Sequence, residues 1–320
     1  MSDAPGQSRL PASPALSPNQ LLVGVDVGAT GSRAGVVDAA GHVLGRAKRE
    51  TPRDPADAAR VVAEIVREAC QAAGIAVPPR LGIGVPGPVA RNAITAAVNL
   101  GWRDVPFARL AAEQLGVPCT LLNDVDAAAR AEHQAGAAAG QSDVLAVWIG
   151  TGVGGGAILG NTPLAGACGV AAEIGHAVID VHAPPDRRLV EHRCSRRAIL
   201  GEIRLRVDRG GATALREVAP AAVADAYRAG DDLVAGVVDE AMDVLGAAVA
   251  SACAILGTRF VVVGGALAEM LGPAVCDRVG RAANADAFPP GSDIDVRLSA
   301  FGDDAGLIGA AFAAANTIPA

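Results

Sequence analysis

A chain of 320 residues, 51% of them apolar, is long enough to bury one large core or two smaller ones, and with aromatics at only 2% that packing falls to Ala, Val, Leu and Ile. A net charge of −7, with no basic stripe and no Cys/His pair at zinc-finger spacing, argues against a nucleic-acid or anionic-membrane partner. The 6 cysteines are scattered without a CxxC pair, as reduced and mostly buried thiols are, and no apolar run reaches the ~20 residues of a membrane span, so a cytoplasmic protein is expected.

Residues 1–20 are rich in Pro, Ser and Ala and lack both a charged n-region and an unbroken apolar run; they read as a disordered lead-in, not a signal peptide. Leu21–Val27 reads as an apolar strand carrying Asp26, Gly28-Ala29-Thr30-Gly31-Ser32 as a glycine-rich turn, and Arg33–Asp38 as the returning strand. A third strand near His42–Arg49 and a helix over Asp54–Ala73 follow. Leu81–Val85 is a short buried strand that runs into the rigid turn Pro86-Gly87-Pro88. Asn99-Leu100-Gly101-Trp102 sets a polar amide in a loop, and helix Phe107–Leu115 leads to strand Cys119–Leu122. That strand ends in Asn123-Asp124-Val125-Asp126, ahead of an alanine-rich helix, Ala127–Ala135. A carboxylate at the C-terminal end of a strand lies where open α/β sheets bind their ligands, but the same residues cap helices well. We expect one of the two aspartates to cap and the other to do chemistry.

Val147–His176 repeats the earlier hairpin. An apolar run turns through Gly150, Thr151 and Gly152 and resumes as Gly154–Leu159, so bare backbone N–H groups and the Thr151 hydroxyl can converge on an anion. Taken alone this could be a tight hairpin and no more; two copies in matching context, at 24–37 and 147–159, predict related α/β halves holding phosphates across a cleft. Glu173-Ile174-Gly175-His176 then adds a carboxylate and an imidazole suited to hydroxyl groups, the combination a sugar kinase needs. Val181–Arg197 reads as a loop whose arginines, 187, 188, 193, 196 and 197, form a solvated face. Helices at Ile199–Val207, Ala219–Ala229 and Asp231–Leu256 follow. Strand Phe260–Val263 turns through Gly264-Gly265 into a helix near Leu267, a favourable place for phosphate or ribose. Strand Asp295–Leu298, the segment Gly302-Asp303-Asp304-Ala305-Gly306 and helix Leu307–Ala315 complete the chain.

Taken in order, GVDVGATGSR, GIGVPGPV, NLGW, LLNDVDAAA, IGTGVGGGAIL, EIGH, VVVGGALAE and GDDAGLIGAA resemble the ROK family of bacterial sugar kinases, within the actin-like ATPase superfamily. The resemblance implies an α/β fold of two actin-like (ribonuclease H-like) domains around a cleft. A small domain, 21–122, would be completed by a C-terminal helix at 305–320, and a large domain would span 123–304. It implies ATP-dependent phosphorylation of the primary hydroxyl of a hexose-like sugar, of glucokinase type, with Asp124 as general base. Sugar hydroxyls would meet Asn99, Asn123, Asp124, Glu173, His176 and Glu191. Asp26 would organise Mg²⁺ through water, Gly28, Thr30, Gly31, Gly150, Thr151 and Gly152 would hold the ATP phosphates, and Gly264 and Gly265 would lie near the adenosine. A homodimer is the family expectation.

Alternatives remain: an amino sugar such as kanosamine, or a C7-cyclitol, as acceptor, and polyphosphate as donor. A sugar-sensing ROK repressor ranks lower, because only about twenty Pro- and Ser-rich residues precede the first strand, too few for a DNA-binding helix-turn-helix. A catalytically silent sugar-binding protein is disfavoured by the retained Asp124 and both glycine turns. Departures from the family pattern are Ala29 for a glycine and Gly31 for a lysine, with Arg33 a candidate to replace that charge. The family also ties the histidine of EIGH to cysteines of a Cys-x-Cys-Gly-x-x-Gly-Cys loop through zinc. Those cysteine positions hold His182, Pro184 and Leu189 here, so structural zinc is expected to be absent. A rebuilt set from His176, His182, His192 and Cys194 is the alternative, and without zinc the orientation of His176 falls to hydrogen bonds from the basic loop.

Overall fold

The computed structural model describes residue 17 and residues 19–315; most of the expected lead-in, and positions 316–320 of the expected last helix, lie outside the described residues. In chain order the first half carries β1 (Leu22–Val27), β2 (Gly31–Val37), β3 (Val43–Glu50), α1 (Pro55–Ala72), β4 (Leu81–Val85), β5 (Val89–Ala90), β6 (Ala93–Ala97), β7 (Trp102–Val105), α2 (Phe107–Leu115), β8 (Cys119–Asn123) and α3 (Asp124–Ala135). The second carries β9 (Val144–Ile149), β10 (Val153–Leu159), β11 (Thr162–Pro163), α4 (Glu191–Cys194), α5 (Arg196–Asp208), α6 (Pro220–Arg228), α7 (Asp232–Leu256), β12 (Phe260–Gly264), α8 (Ala266–Leu271), α9 (Pro273–Ala285), β13 (Asp295–Leu298) and α10 (Ala305–Ala314).

The duplicated hairpin is the visible part of a duplicated sheet. One sheet runs β3-β2-β1-β4-β8 and the other β11-β10-β9-β12-β13. In each, the hairpin and its third strand are antiparallel, and the two later strands lie parallel to the first. The central strands β1, β4, β9 and β12 are buried along nearly their whole length and read as near-continuous apolar runs, as strands covered on both faces do.

The last helix, α10, has apolar or small residues all round, the composition of a fully buried helix. It lies directly on the first sheet because Gly24 of β1 and Gly82 of β4 are register partners with no side chains. A Cβ at Gly24 would fall 2.0 Å from the Leu307 carbonyl oxygen, and one at Gly82 1.8 Å from that of Ala310. The other side of α10 presses on α3, which in turn packs on β9 and β10 of the second sheet. Helix α3, which carries Asp124, therefore stands between the two sheets.

Four local expectations are corrected. Helix α3 begins at Asp124, and neither aspartate caps it: Asn123 Oδ1 accepts from Val125 N at 2.8 Å and Asp126 N at 3.1 Å. The segment 181–197 is not loop throughout, since it forms a 3₁₀ turn at Pro185–Arg187, then α4, then α5 capped by Ser195. The stretch between Pro86 and Trp102 holds most of a small antiparallel sheet, β5-β6-β7, and α9 was not anticipated. Among the described residues no helix is long and apolar enough to cross a membrane.

Candidate active site

Two glycine turns face solvent at the ends of β1 and β9. In the first, Gly28 N donates to Gly31 O at 2.9 Å, Thr30 is exposed, and Thr51 braces the turn from behind by donating to Gly28 O at 2.8 Å. In the second, Gly150 N donates to Gly152 O at 2.9 Å with Thr151 exposed at the tip. Arg196 holds this second turn twice: its N–H donates to Gly150 O at 3.0 Å and its guanidinium to Thr151 Oγ1 at 3.2 Å. Gly264 pairs with Trp148 in the β9–β12 register, and Gly265, at φ +89°, sits so close to Ile149 that a Cβ would lie 2.8 Å from its carbonyl oxygen. Both glycines thus adjoin the base of the second turn.

Asp26, on β1 beside the first turn, accepts from Arg33 Nε at 2.9 Å and Nη2 at 2.8 Å, both on Oδ2. Arg33 also donates to the Asp303 carbonyl and lies 3.8 Å from Asp304, whose carboxylate takes a fork from Arg46 at 2.8 and 2.7 Å. The Arg33 charge is therefore committed to Asp26 and the Asp303-Asp304 pair, and does not stand free as a replacement for the missing lysine. Burial raises the Asp26 pKa despite Arg33.

Asp124 occupies the first position of α3, where strand β8 ends. Its carboxyl is pushed up to about 7 by burial, with Asp26 and then Glu173 adding repulsion against the favourable Val125 N–H. Asp126 is likewise pushed up to about 7, by burial and by Glu173 and Asp124, against Arg130. Glu173 is raised by burial and by Glu191, with His176 opposing. Asp26, Asp124, Asp126, Glu173 and Glu191 therefore form one electrostatic cluster. Gly306, in the first turn of α10, separates two of them: a Cβ there would lie 3.6 Å from the Asp124 carbonyl oxygen and 3.8 Å from Asp26 Cγ.

Glu191 opens α4, and its Oε2 accepts from Val153 N at 3.0 Å; Arg197 lies 3.6 Å from Oε1. His176 ends the 3₁₀ turn Ile174–His176 with an exposed ring that makes no hydrogen bond among the described residues. Asn123 has its amide engaged as the α3 cap and on Gly87 O at 3.2 Å. Beside Asn123 and Asp126 opens a cavity of about 320 Å³, also bordered by Asn92, Arg130 and Leu164. Asn99 sits on an exposed turn, joined to Arg53 only through its backbone carbonyl. Arg196, expected on a solvated loop face, instead anchors the second turn, and nothing in its local sequence reports a contact made 45 residues away.

The residues do not fit zinc. His182 and Pro184 are exposed, Leu189 has no ligand atom, and the buried Cys194 thiol donates to Ala241 O at 3.1 Å, with burial pushing its pKa up to about 12. No group of three or more His, Cys, Asp or Glu able to hold a metal ion occurs among the described residues.

The chain is 39% identical to the glucokinase of Streptomyces coelicolor over 158 residues, 49% of each, so it matches about half the length of that relative. It is 29% identical to the glucokinase of Thermotoga maritima over 315 residues, covering 92% of this chain and 97% of that one. Its fold matches a ROK family glucokinase from Streptomyces griseus in complex with glucose and AMPPNP, with a TM-score of 0.80 and 28% identity over 92% of this chain and 99% of the other. The expected α/β fold of two actin-like domains is that of this glucokinase structure and of a ROK hexokinase from Thermus thermophilus, matched with a TM-score of 0.78 and 30% identity over 92% of this chain and 98% of the other. Residues 22–317 match the model of the ROK family, and the chain belongs to that family.

Proposed function

We propose that this protein transfers the γ-phosphoryl group of ATP to the primary hydroxyl of a hexose-like sugar. The observation that carries this reading is Asp124, set at the start of α3 within electrostatic reach of Asp26 and Glu173, its carboxyl pushed up to about 7. A base whose pKa lies near the working pH takes a proton well, and its position at a strand's C-terminal end suits a ligand-facing role. The sugar oxygen attacks the γ-phosphorus as Asp124 accepts the hydroxyl proton, and the bond to the bridging oxygen of ADP breaks. Oriented groups and charge neutralisation supply most of the acceleration in such transfers.

The exposed turns Gly28–Gly31 and Gly150–Gly152 offer N–H groups to the phosphates, with Arg196 as the nearby cation. Asp26, whose Oδ2 is taken by Arg33, would hold Mg²⁺ through water, and the ion when bound would supply neutralisation of charge at the phosphates. Glu173, His176 and Glu191 would orient the sugar, with Asn99 and Asn123 as further hydroxyl contacts. Gly264 and Gly265 would flank the adenosine.

A second reading, an amino sugar as acceptor, is favoured by the carboxylate cluster itself. Asp26 and Glu173 raise Asp124, Glu173 and Asp124 raise Asp126, and Glu191 raises Glu173, and a bound ammonium would relieve that repulsion. A coupled ADP-release screen over glucose, mannose, glucosamine, N-acetylglucosamine, kanosamine and cyclitols tests both readings. Release with no member of the panel, alongside intact ATP binding, would refute the kinase assignment.

A further inference from the structure

The segment 177–190 departs from His176 and returns at Glu191, and its neck brings the backbone beside those two residues together. Backbone closes its neck: Val190 N donates to Ala177 O at 3.0 Å, Val178 and Leu189 form an antiparallel bridge, and Ile179 N donates to Arg188 O at 2.8 Å. Two side chains close its tip. Asp180 Oδ1 accepts from His182 N at 2.9 Å and Ala183 N at 3.1 Å, and Arg188 Nε donates to Ala183 O at 2.8 Å. Arg187 then ties the hairpin to α5 through Glu202 at 3.3 Å. A short exposed two-stranded hairpin is marginal without such ties, and an Asp that accepts from the amides two and three residues on pre-forms the turn.

The positions at which the family implies zinc ligands hold His182, Pro184 and Leu189, and they lie within this hydrogen-bonded hairpin. We infer that the hairpin does without metal the work the family assigns to zinc, and that Asp180 and Arg188 are positioning residues holding His176 and Glu191 toward the acceptor sugar. The sugar-directed half of this inference rests on the kinase reading; the clamp does not.

The test compares Asp180→Ala and Arg188→Ala with Asp180→Asn, which keeps a side-chain acceptor in place. Amide hydrogen exchange at Ile179 and Val190, zinc content and the acceptor KM are measured on the whole chain. Expected are faster exchange in both alanine variants, acceptor KM raised roughly tenfold with kcat within about threefold, near-wild-type behaviour of Asp180→Asn, and no stoichiometric zinc. About one zinc per chain in protein purified without chelator, or alanine variants whose exchange and KM match wild type, would overturn the inference. A wild-type chain that phosphorylates no sugar would sink the kinase reading alone, because exchange and zinc content still decide for or against the clamp.

Discussion

Glu191 reaches across to the second glycine turn and accepts the backbone N–H of Val153, and its Oε2 lies 2.2 Å from the point where a Cβ on Gly152 would be. The carboxylate proposed to meet the sugar and the turn proposed to meet the phosphates are thus packed against each other without a side chain between them. Gly152 does not need glycine for its own backbone; Glu191 needs Gly152 to lack a side chain.

Gly152→Ala should therefore act on binding more than on folding. The atom in the way is the end of a flexible side chain, so the carboxylate swings aside and releases the Val153 N–H while the hairpin persists. Acceptor KM is expected to rise roughly tenfold while stability changes by ~1 kcal/mol or less. Steady-state kinetics beside urea unfolding check this; a loss of several kcal/mol with unchanged KM would contradict it.

Arg196→Ala removes the guanidinium from Thr151 and leaves the backbone bond to Gly150 intact. KM for ATP should rise ~10-fold, the size of one charge-assisted hydrogen bond, with acceptor KM little changed. Equal changes in both constants would place Arg196 outside the phosphate site.

Glu132→Ala tests the architecture behind the site. This buried carboxylate accepts from Ala137 N at 2.8 Å, Ala300 N and Phe301 N at 3.1 Å each, and Ser299 Oγ at 2.5 Å. Truncation strands several donors, at a cost of roughly 3–5 kcal/mol. Denaturant unfolding should show it, and a loss below ~1 kcal/mol would mean that water replaces the carboxylate.

The raised pKa of Asp124 fixes the sign of two pH effects. Below about 7 the carboxyl is protonated and cannot accept the sugar proton, so kcat/KM should climb with pH through that value and level off above it. For stability, a carboxyl at 3.8 in the unfolded chain and about 7 in the fold favours the folded state fully only below 3.8. That contribution is lost as pH rises through about 7. The apo Asp124→Asn protein should therefore melt above wild type at pH 8, with the gap closing towards pH 4. A lower melting temperature for Asp124→Asn at pH 8 would show that the carboxylate is not under strain.

Much of this was legible in the chain. The two hairpins announce themselves because an apolar run ends abruptly in glycine, and the order of the motifs carries the family resemblance that points to Asp26, Asp124, Glu173 and Glu191, which the fold couples electrostatically. The cap of α3 was not legible: in Asn123-Asp124-Val125-Asp126 three residues could cap, and the choice falls to Asn123 because β8 stays paired with β4 as far as the Val85–Asn123 register. The small sheet was hidden by strands too short to show a period. Arg196 and the 177–190 clamp depend on distances that only the folded chain defines.

Asp124→Asn, assayed for ADP release with the best acceptor of the panel and for sugar binding by calorimetry, tests the central claim most directly. The amide keeps the shape and the hydrogen bond from Val125 N–H but takes no proton. Turnover should fall by ~10²–10⁴-fold with acceptor affinity within a few-fold of wild type. Turnover within tenfold of wild type would contradict the assignment of Asp124 as the base.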